Sequence, residues 1–130
     1  MVQVTVSCPV YPSEDPGKVV KALRNIFPTG EFAVDGGAVS GVADLDEFAR
    51  LIRRQRILDT ARSQMLKGRK HSRTRTAFEL NKQVATVGKV SFVDYDVALG
   101  TISVEVRDDD IDELIDRVAP ATVDGEEVRA

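Results

Sequence analysis

Apolar residues switch several times between a period of two and a helical period along this chain. Residues 2–6 read Val-Gln-Val-Thr-Val, which is the alternation of a half-buried strand. Asp15 and Pro16 then begin a segment with apolar residues at helical spacing, which ends at Pro28. The start of the chain is therefore predicted to form a strand followed by a helix that packs on it.

The middle of the sequence combines a hairpin with a long helical segment. Residues 31–42 have the pattern of two short strands around an Asp-Gly-Gly turn. The helical segment extends from Asp44, which has Glu47 in capping-box position, to Gly68. Its apolar residues lie on two faces about 120° or more apart, so we expect either a break near residues 53–56 or burial on both sides.

The last part of the sequence returns to the strand period. From Arg73 onward the residues alternate, which places Arg73 and Arg75 on the same side of a strand. The remaining predicted elements are a helical turn at 81–87, strands at 90–93 and 101–106, and a helix at 111–118 that follows three aspartates and ends at Pro120.

This order of elements is typical of the α+β class, as a single domain with a mixed or antiparallel sheet and helices packed on one face. With 130 residues, 42% of them hydrophobic, the chain is long enough for one such domain. We assign residues 1–120 to the domain. Residues 121–130 are acidic and poor in large apolar groups, and we expect them to form a mobile C-terminal tail.

The cysteine content and the hydropathy pattern predict the cellular compartment of the protein. Cys8 is the only cysteine, so the chain cannot form an internal disulfide, and no Cys or His cluster offers a metal site. No run of 18 apolar residues occurs, and the N-terminus lacks the pattern of an export signal. We therefore expect a cytoplasmic protein that uses no cofactor, no metal and no membrane.

Charge is distributed unevenly along the chain. Residues 50–89 include twelve Lys and Arg residues and two acids, a net charge of +10, whereas the rest of the chain has six and nineteen and carries −13. Such a local excess indicates what approaches that face of the protein. The alternative interpretation is a solvated helix face and loop whose charge is compensated by acidic neighbours in the fold.

Three blocks of the sequence resemble a known family. The blocks VYPSEDPGKVVKALRNIFP, RRQRILDTARSQMLKG and FELNKQVATVGKVSF are similar to the signature segments of a small archaeal family of uncharacterised proteins. The most specific parts are RRQRILDTAR and LNKQ, and the resemblance extends to about Pro120. It implies a fold similar to that of the ribosomal protein that holds the five-S ribosomal RNA in the large subunit, and hence RNA as a partner.

The basic side chains themselves also fit an RNA backbone, because Arg offers phosphate a planar fork and Lys offers a mobile point charge. Phe27, Phe48 and Phe78 fall on apolar faces and are predicted to be core, which leaves only Tyr11 and Tyr95 to stack on bases. We therefore expect recognition of backbone and shape with little sequence specificity. The candidate RNA-binding residues are Arg53, Arg54, Arg56, Arg62, Lys67, Arg69, Lys70, Arg73, Arg75, Asn81 and Lys82.

Catalysis has little support in the sequence. His71 stands in the basic segment without a carboxylate or nucleophile that the sequence would place beside it. Asp59 is interpreted as a structural carboxylate rather than a catalytic one, because ion-pair networks perturb residues much as active sites do. Its expected ion-pair partners are Arg56, Arg62 or Arg75.

Two alternatives to a non-catalytic RNA-binding module remain open. One is a small enzyme or sensor that binds a phosphorylated or anionic small molecule in a concave pocket. The residues that would bind this ligand are Arg53, Arg56, Arg62 and Lys82. The other alternative is a homodimer in which the basic face of one copy meets the acidic C-terminal helix of the next. Residues 81–83, Asn-Lys-Gln, fit a turn cap as well as a contact to a base or a ribose.

Overall fold

A five-stranded antiparallel sheet forms the centre of the fold. The structure is a computed structural model that describes residues 2–93, 100–123 and 126–127. The strands are β1 (Gln3–Pro9), β2 (Glu31–Asp35), β3 (Ala38–Ala43), β4 (Arg75–Asn81) and β5 (Thr101–Arg107). Their spatial order is β2-β3-β1-β5-β4, and every neighbouring pair is antiparallel.

Helices cover one face of this sheet. They are α1 (Pro16–Ile26), α2 (Asp46–Arg54), α3 (Leu58–Gly68), α4 (Lys82–Ala85) and α5 (Ile111–Val118). The inward-facing residues of the strands, such as Val6, Phe78 and Val104, are 0 to 5% exposed and pack against the helices. Their neighbours along each strand, such as Thr5 and Ser103, face the opposite side and are exposed or half-buried. The predicted α+β class with helices on one face of an antiparallel sheet is confirmed.

One predicted strand is much shorter than expected. Residues 90–93 pair with β4 only around Phe92, which forms a single antiparallel bridge to Leu80. Two backbone hydrogen bonds flank this bridge, from the Asn81 N–H to the Ser91 carbonyl oxygen at 2.8 Å and from the Val93 N–H to the Glu79 carbonyl oxygen at 3.0 Å. At Val90 the Gln55 side-chain amide takes over, because it donates to the Val90 carbonyl oxygen at 2.8 Å and accepts from the Val90 N–H at 2.7 Å.

Four phenylalanines form the centre of the core. Phe48 stacks on Phe27 and Phe78 with ring centroids 6.3 and 5.4 Å apart, and Phe92 meets Phe48 and Phe78 edge-on at 6.2 and 5.6 Å. Such pairs add about 0.5–1.5 kcal/mol each beyond the area that they bury. The prediction that Phe27, Phe48 and Phe78 belong to the core is confirmed.

The long helical segment breaks in two, which was one of the two expected outcomes. The α2 helix ends at Arg54 and α3 begins at Leu58, and between them Arg56 adopts a left-handed backbone with φ of 59°. The break lets each helix bury its own apolar face, with Phe48 and Ile52 on α2 and Ala61 and Met65 on α3. We call residues 55–57 the elbow.

A small hairpin follows α5. Its strands are β6 (Thr122–Val123) and β7 (Glu126–Glu127), which pair antiparallel with each other and not with the main sheet. Thr122 Oγ1 donates a hydrogen bond to the Asp59 carboxylate of α3. The mobility predicted for residues 121–130 stays a prediction, and we call β6 and β7 the acidic hairpin because Glu126 and Glu127 lie on it.

Candidate nucleic-acid interface

The loop between α3 and β4, residues 69–74, concentrates the exposed positive charge. Lys70 and His71 are consecutive residues in the left-handed region, with φ of 48° and 71°. Non-glycine residues in this region cost on the order of 1 kcal/mol each, so the surroundings must hold the loop in place. We call these six residues the basic loop.

Hydrogen bonds to two other elements fix the backbone of the basic loop. The Arg73 carbonyl oxygen accepts from the N–H of Ile111 at 2.9 Å, and the Thr74 carbonyl oxygen accepts from the N–H of Asp108 at 3.0 Å. Inside the loop, the Ser72 N–H donates to the Arg69 carbonyl oxygen at 2.9 Å. The loop is therefore a rigid platform that rests on the start of α5.

The end of α3 packs tightly on β4 just before the loop. The buried Thr76 hydroxyl donates to the Met65 carbonyl oxygen at 2.5 Å. At Gly68 an added Cβ would lie 2.0 Å from the Ala77 carbonyl oxygen, so no other residue fits without a shift of the helix. This close approach sets the direction in which the helix presents the loop.

The cations around the loop differ in what they contact. Lys70 and Arg73 are exposed and, among the described residues, make no ion pair. Arg69 Nη1 lies 2.6 Å from Asp112 Oδ1 of α5. Lys67 is exposed, and together with Lys70 it lines two adjacent shallow grooves of about 360 and 430 Å³. These side chains together form one basic surface.

Arg75 extends this surface onto the open face of the sheet. It lies directly across from Arg107 on β5, and Glu105 accepts from both, at 3.2 Å from Arg75 Nη2 and 2.6 Å from Arg107 Nε. The hydrogen bonds from Arg107 and Arg75 hold the pKa of the Glu105 carboxyl below its usual range. Glu105 thus separates two like charges and fixes their guanidinium groups.

Two of the predicted RNA-binding arginines have structural roles at the end of α5. Arg53 donates to the carbonyl oxygens of Val118 and Arg117, both at 3.3 Å. Arg62 donates to the Ala119 carbonyl oxygen at 3.2 Å and lies 2.7 Å from Asp116 Oδ1. Guanidinium groups at these last carbonyls satisfy hydrogen-bond acceptors that no helical N–H reaches, and they oppose the negative end of the helix dipole.

The expected ion pairs of Asp59 are not those in the structure. Arg62 pairs with Asp116, and Arg75 pairs with Glu105. Asp59 instead accepts from Thr122 of the acidic hairpin and lines a groove that also includes Arg56. Arg62 and Arg75 pair with acids of α5 and β5, which the fold brings closer to them than Asp59.

Asn81 and Lys82 lie apart from the basic loop. The Asn81 side-chain oxygen caps α4 by accepting from the N–H groups of Gln83 and Val84 at 2.8 and 3.1 Å. Lys82 is 5% exposed, and its Nζ donates to Glu14 Oε1 at 2.7 Å and to the Pro9 carbonyl oxygen at 2.5 Å. This lysine is part of the core and does not face solvent.

The buried surroundings of Lys82 also affect two titratable groups. Burial alone would raise the pKa of Glu14, but the hydrogen bonds from Lys82 and from the Tyr11 N–H outweigh it and hold that pKa below its usual range. Burial raises the pKa of the Cys8 thiol to about 11. Cys8 is therefore a neutral core residue, as expected from its position among valines.

The sequence did not indicate two polar contacts that hold the ends of α3. Gln55 holds Val90, 35 positions away, and Thr76 holds Met65, 11 positions away. A polar residue inside an otherwise apolar strand face was the available signal for Thr76, which is 0% exposed. Among the described residues, no group of His, Cys, Asp and Glu side chains could hold a metal ion.

Of the two tyrosines that could stack on bases, Tyr11 is 42% exposed, with Lys82 Nζ 5.5 Å from its ring centroid, and Tyr95 lies outside the described residues. None of the helices in the described ranges is long and apolar enough to cross a membrane. The surface around the basic loop is thus suited to a polyanion that is held by its phosphates.

Comparisons with known proteins define the class to which this fold and surface belong. A family model described as RNA binding matches residues 3–108. A UPF0200/UPF0201 protein of Archaeoglobus fulgidus is 42% identical over 98% of this chain. That relative is much longer, and the match spans only 40% of its length. A UPF0201 protein of Methanothermobacter thermautotrophicus is 40% identical over 92% of both chains.

A solved structure agrees with these sequence matches. The crystal structure of the UPF0201 protein from Methanococcus jannaschii superposes with a TM-score of 0.85 at 35% identity, and covers 98% of this chain and 99% of that one. The chain therefore belongs to the UPF0201 family of archaeal proteins, which confirms the family suggested by the sequence blocks.

Proposed function

We propose that this protein is a non-catalytic RNA-binding module that holds the phosphate backbone on its basic loop. The observation that carries the proposal is the presentation of Lys70 and Arg73, which are exposed on a backbone that hydrogen bonds fix to the start of α5. The family model described as RNA binding supports the same function. Lys67, Arg69 and Arg75 complete the proposed surface around the loop.

The mode of recognition follows from the types of side chain. Arg69 and Arg75 are held by Asp112 and Glu105, so their planar guanidinium groups are oriented before a phosphate arrives. The phenylalanines of the core are not available for stacking. We therefore propose recognition of the RNA backbone and shape, with little preference for sequence.

The resemblance found in the sequence adds a finer proposal. We propose that the fold is related to that of the ribosomal protein that holds the five-S ribosomal RNA, and that the partner is a structured RNA in the cytoplasm. This part rests on analogy between folds, so the binding residues have to be tested on this chain itself.

The two alternative functions find less support in the geometry. The residues proposed to bind a small anion do not converge, since Arg62 contacts the end of α5 and Lys82 is buried beside Glu14. A homodimer that joins the basic face to an acidic helix is less favoured, because Asp116 and Asp112 of α5 already pair with Arg62 of α3 and Arg69 of the basic loop in the same chain.

Fluorescence anisotropy with a structured RNA and a single-stranded RNA across a salt series tests the proposal. The test variant is Lys67→Gln/Lys70→Asn/Arg73→Gln, with asparagine at position 70 because it tolerates a left-handed backbone. The matched control is Lys18→Gln/Lys21→Gln/Arg24→Gln, which removes the same charge from the exposed face of α1.

We expect the loop variant to bind more weakly than the control and to flatten the slope of log K against log salt by roughly 2 to 3, since each phosphate contact contributes about 0.7–0.9. Tighter binding to the structured RNA would support recognition of shape. Equal losses in the loop variant and the control, or no binding by the wild type at low salt, would overturn the proposal.

A further inference from the structure

A second arginine-lined groove lies at the other end of α3. It is formed by the elbow and the acidic hairpin and has a volume of about 370 Å³. Its charged lining consists of Arg53 and Arg56, of Glu126 and Glu127 of β7, and of Asp59, whose carboxylate accepts from Thr122 of the hairpin. Arg53 Nε lies 3.3 Å from Glu127 Oε1. The hairpin thus places two carboxylates beside two guanidinium groups that could otherwise bind phosphates.

The contacts on the two sides of this groove differ in strength. Arg53 is held by the carbonyl oxygens of Val118 and Arg117, so its guanidinium keeps its position whether or not the hairpin is present. The Glu127 side chain is 42% exposed in this pair. Ion pairs that are so open to solvent contribute little stability. A polyanion that brings several phosphates competes well against such a contact.

The spacing of the two basic surfaces points to a polymer. Arg56 precedes α3 and the basic loop follows it, and a helix of 11 residues is roughly 16 Å long at 1.5 Å per residue. Arg56 is exposed, and its left-handed backbone turns the chain between the two helices. A single small anion cannot reach both ends of α3, whereas an RNA strand can.

We propose that the elbow is a second phosphate-binding surface and that the acidic hairpin competes with RNA for it. This inference rests on the proposed function, because it extends the same RNA from the basic loop along α3. Binding at the loop alone would be weak, and displacement of Glu126 and Glu127 would add the contacts of Arg53 and Arg56. RNA long enough to contact both ends then binds more tightly than RNA held at one end.

The test compares variants of the full chain in which charged side chains are replaced by neutral amides. Glu126→Gln/Glu127→Gln weakens the competitor, and Glu31→Gln/Asp35→Asn is the matched control, since it changes the net charge equally at the exposed β2 edge of the sheet. Arg56→Asn removes the elbow cation while asparagine keeps the left-handed backbone. The readout is the dissociation constant for the structured RNA at several salt concentrations.

We expect the hairpin variant to bind RNA several-fold more tightly than the β2 control, and Arg56→Asn to remove that gain when the changes are combined. Equal gains in the hairpin variant and the control, or a gain that persists with Arg56→Asn, would overturn the inference. If only the basic-loop variant weakens binding, RNA binding at the loop stands and the second surface does not. If no variant binds RNA, both proposals are wrong.

Discussion

Lys82 Nζ lies 2.7 Å from Glu14 Oε1, and the two side chains are only 6% and 15% exposed. The pair joins α4 to the segment that leads into α1, across 68 positions of the chain. The contact therefore ties two distant segments of the chain together inside the protein.

Glu14→Gln is expected to destabilise the protein strongly. Removal of the carboxylate takes away the Glu14 partner of a buried ammonium, and breaking such buried pairs costs about 3–5 kcal/mol. Urea unfolding followed by circular dichroism measures the change. The double variant Glu14→Met/Lys82→Met is the control, because it removes both charges, and we expect it to be more stable than Glu14→Gln. A Glu14→Gln protein as stable as the wild type would contradict a structural role for this pair.

The contribution of Glu105 should depend on pH. Its pKa is lowered in the folded protein, so its stabilising effect is complete above the unfolded value of about 4.3 and is lost as the pH falls through the folded pKa. We expect the free energy of unfolding of the wild type to exceed that of Glu105→Gln by less than about 1 kcal/mol at pH 7, because the Glu105 side chain is a third exposed. The difference should shrink as urea titrations are taken to progressively more acidic pH below about 4.3. A difference that grows in acid would contradict this assignment.

Cys8 should be unreactive in the native protein. Burial raises its thiol pKa to about 11, so almost no thiolate exists at pH 8, and the side chain is 1% exposed. Ellman's reagent is expected to label Cys8 in urea and not in buffer. Rapid labelling of the folded chain would show that this part of the core opens readily.

Gly68→Ala tests the packing of α3 on β4. Alanine inside a helix usually stabilises it by about 1 kcal/mol relative to glycine. At Gly68 the new Cβ would lie 2.0 Å from the Ala77 carbonyl oxygen, so we expect a loss of stability and weaker RNA binding as the basic loop moves. Gly17→Ala is the comparison, because there the nearest atom is a side-chain carboxylate oxygen 3.3 Å away. Thermal unfolding and anisotropy provide the two readouts.

Local pattern determined most of the secondary structure. The alternation of residues 2–6, the Asp15 and Pro16 helix start and the Asp-Gly-Gly turn each depend on neighbours within a few positions, and each element forms where it was predicted. The phenylalanine core was predictable for the same reason, since apolar spacing identifies the inward face of an element. Residues 90–93 were predicted as a full strand but pair with β4 only around Phe92, because Gln55, 35 positions away, takes both backbone groups of Val90.

The sequence by itself determined that positive charge would gather between α2 and β4, whereas the tertiary structure decided what each cation does. Arg62 and Lys82 are basic residues like Lys70 and Arg73, but carbonyl oxygens and carboxylates from distant segments contact the first two. Charge is a property of a residue, and exposure is a property of the fold. Long-range contacts place the acids of α5 beside α3, and no local pattern encodes which arginines they neutralise.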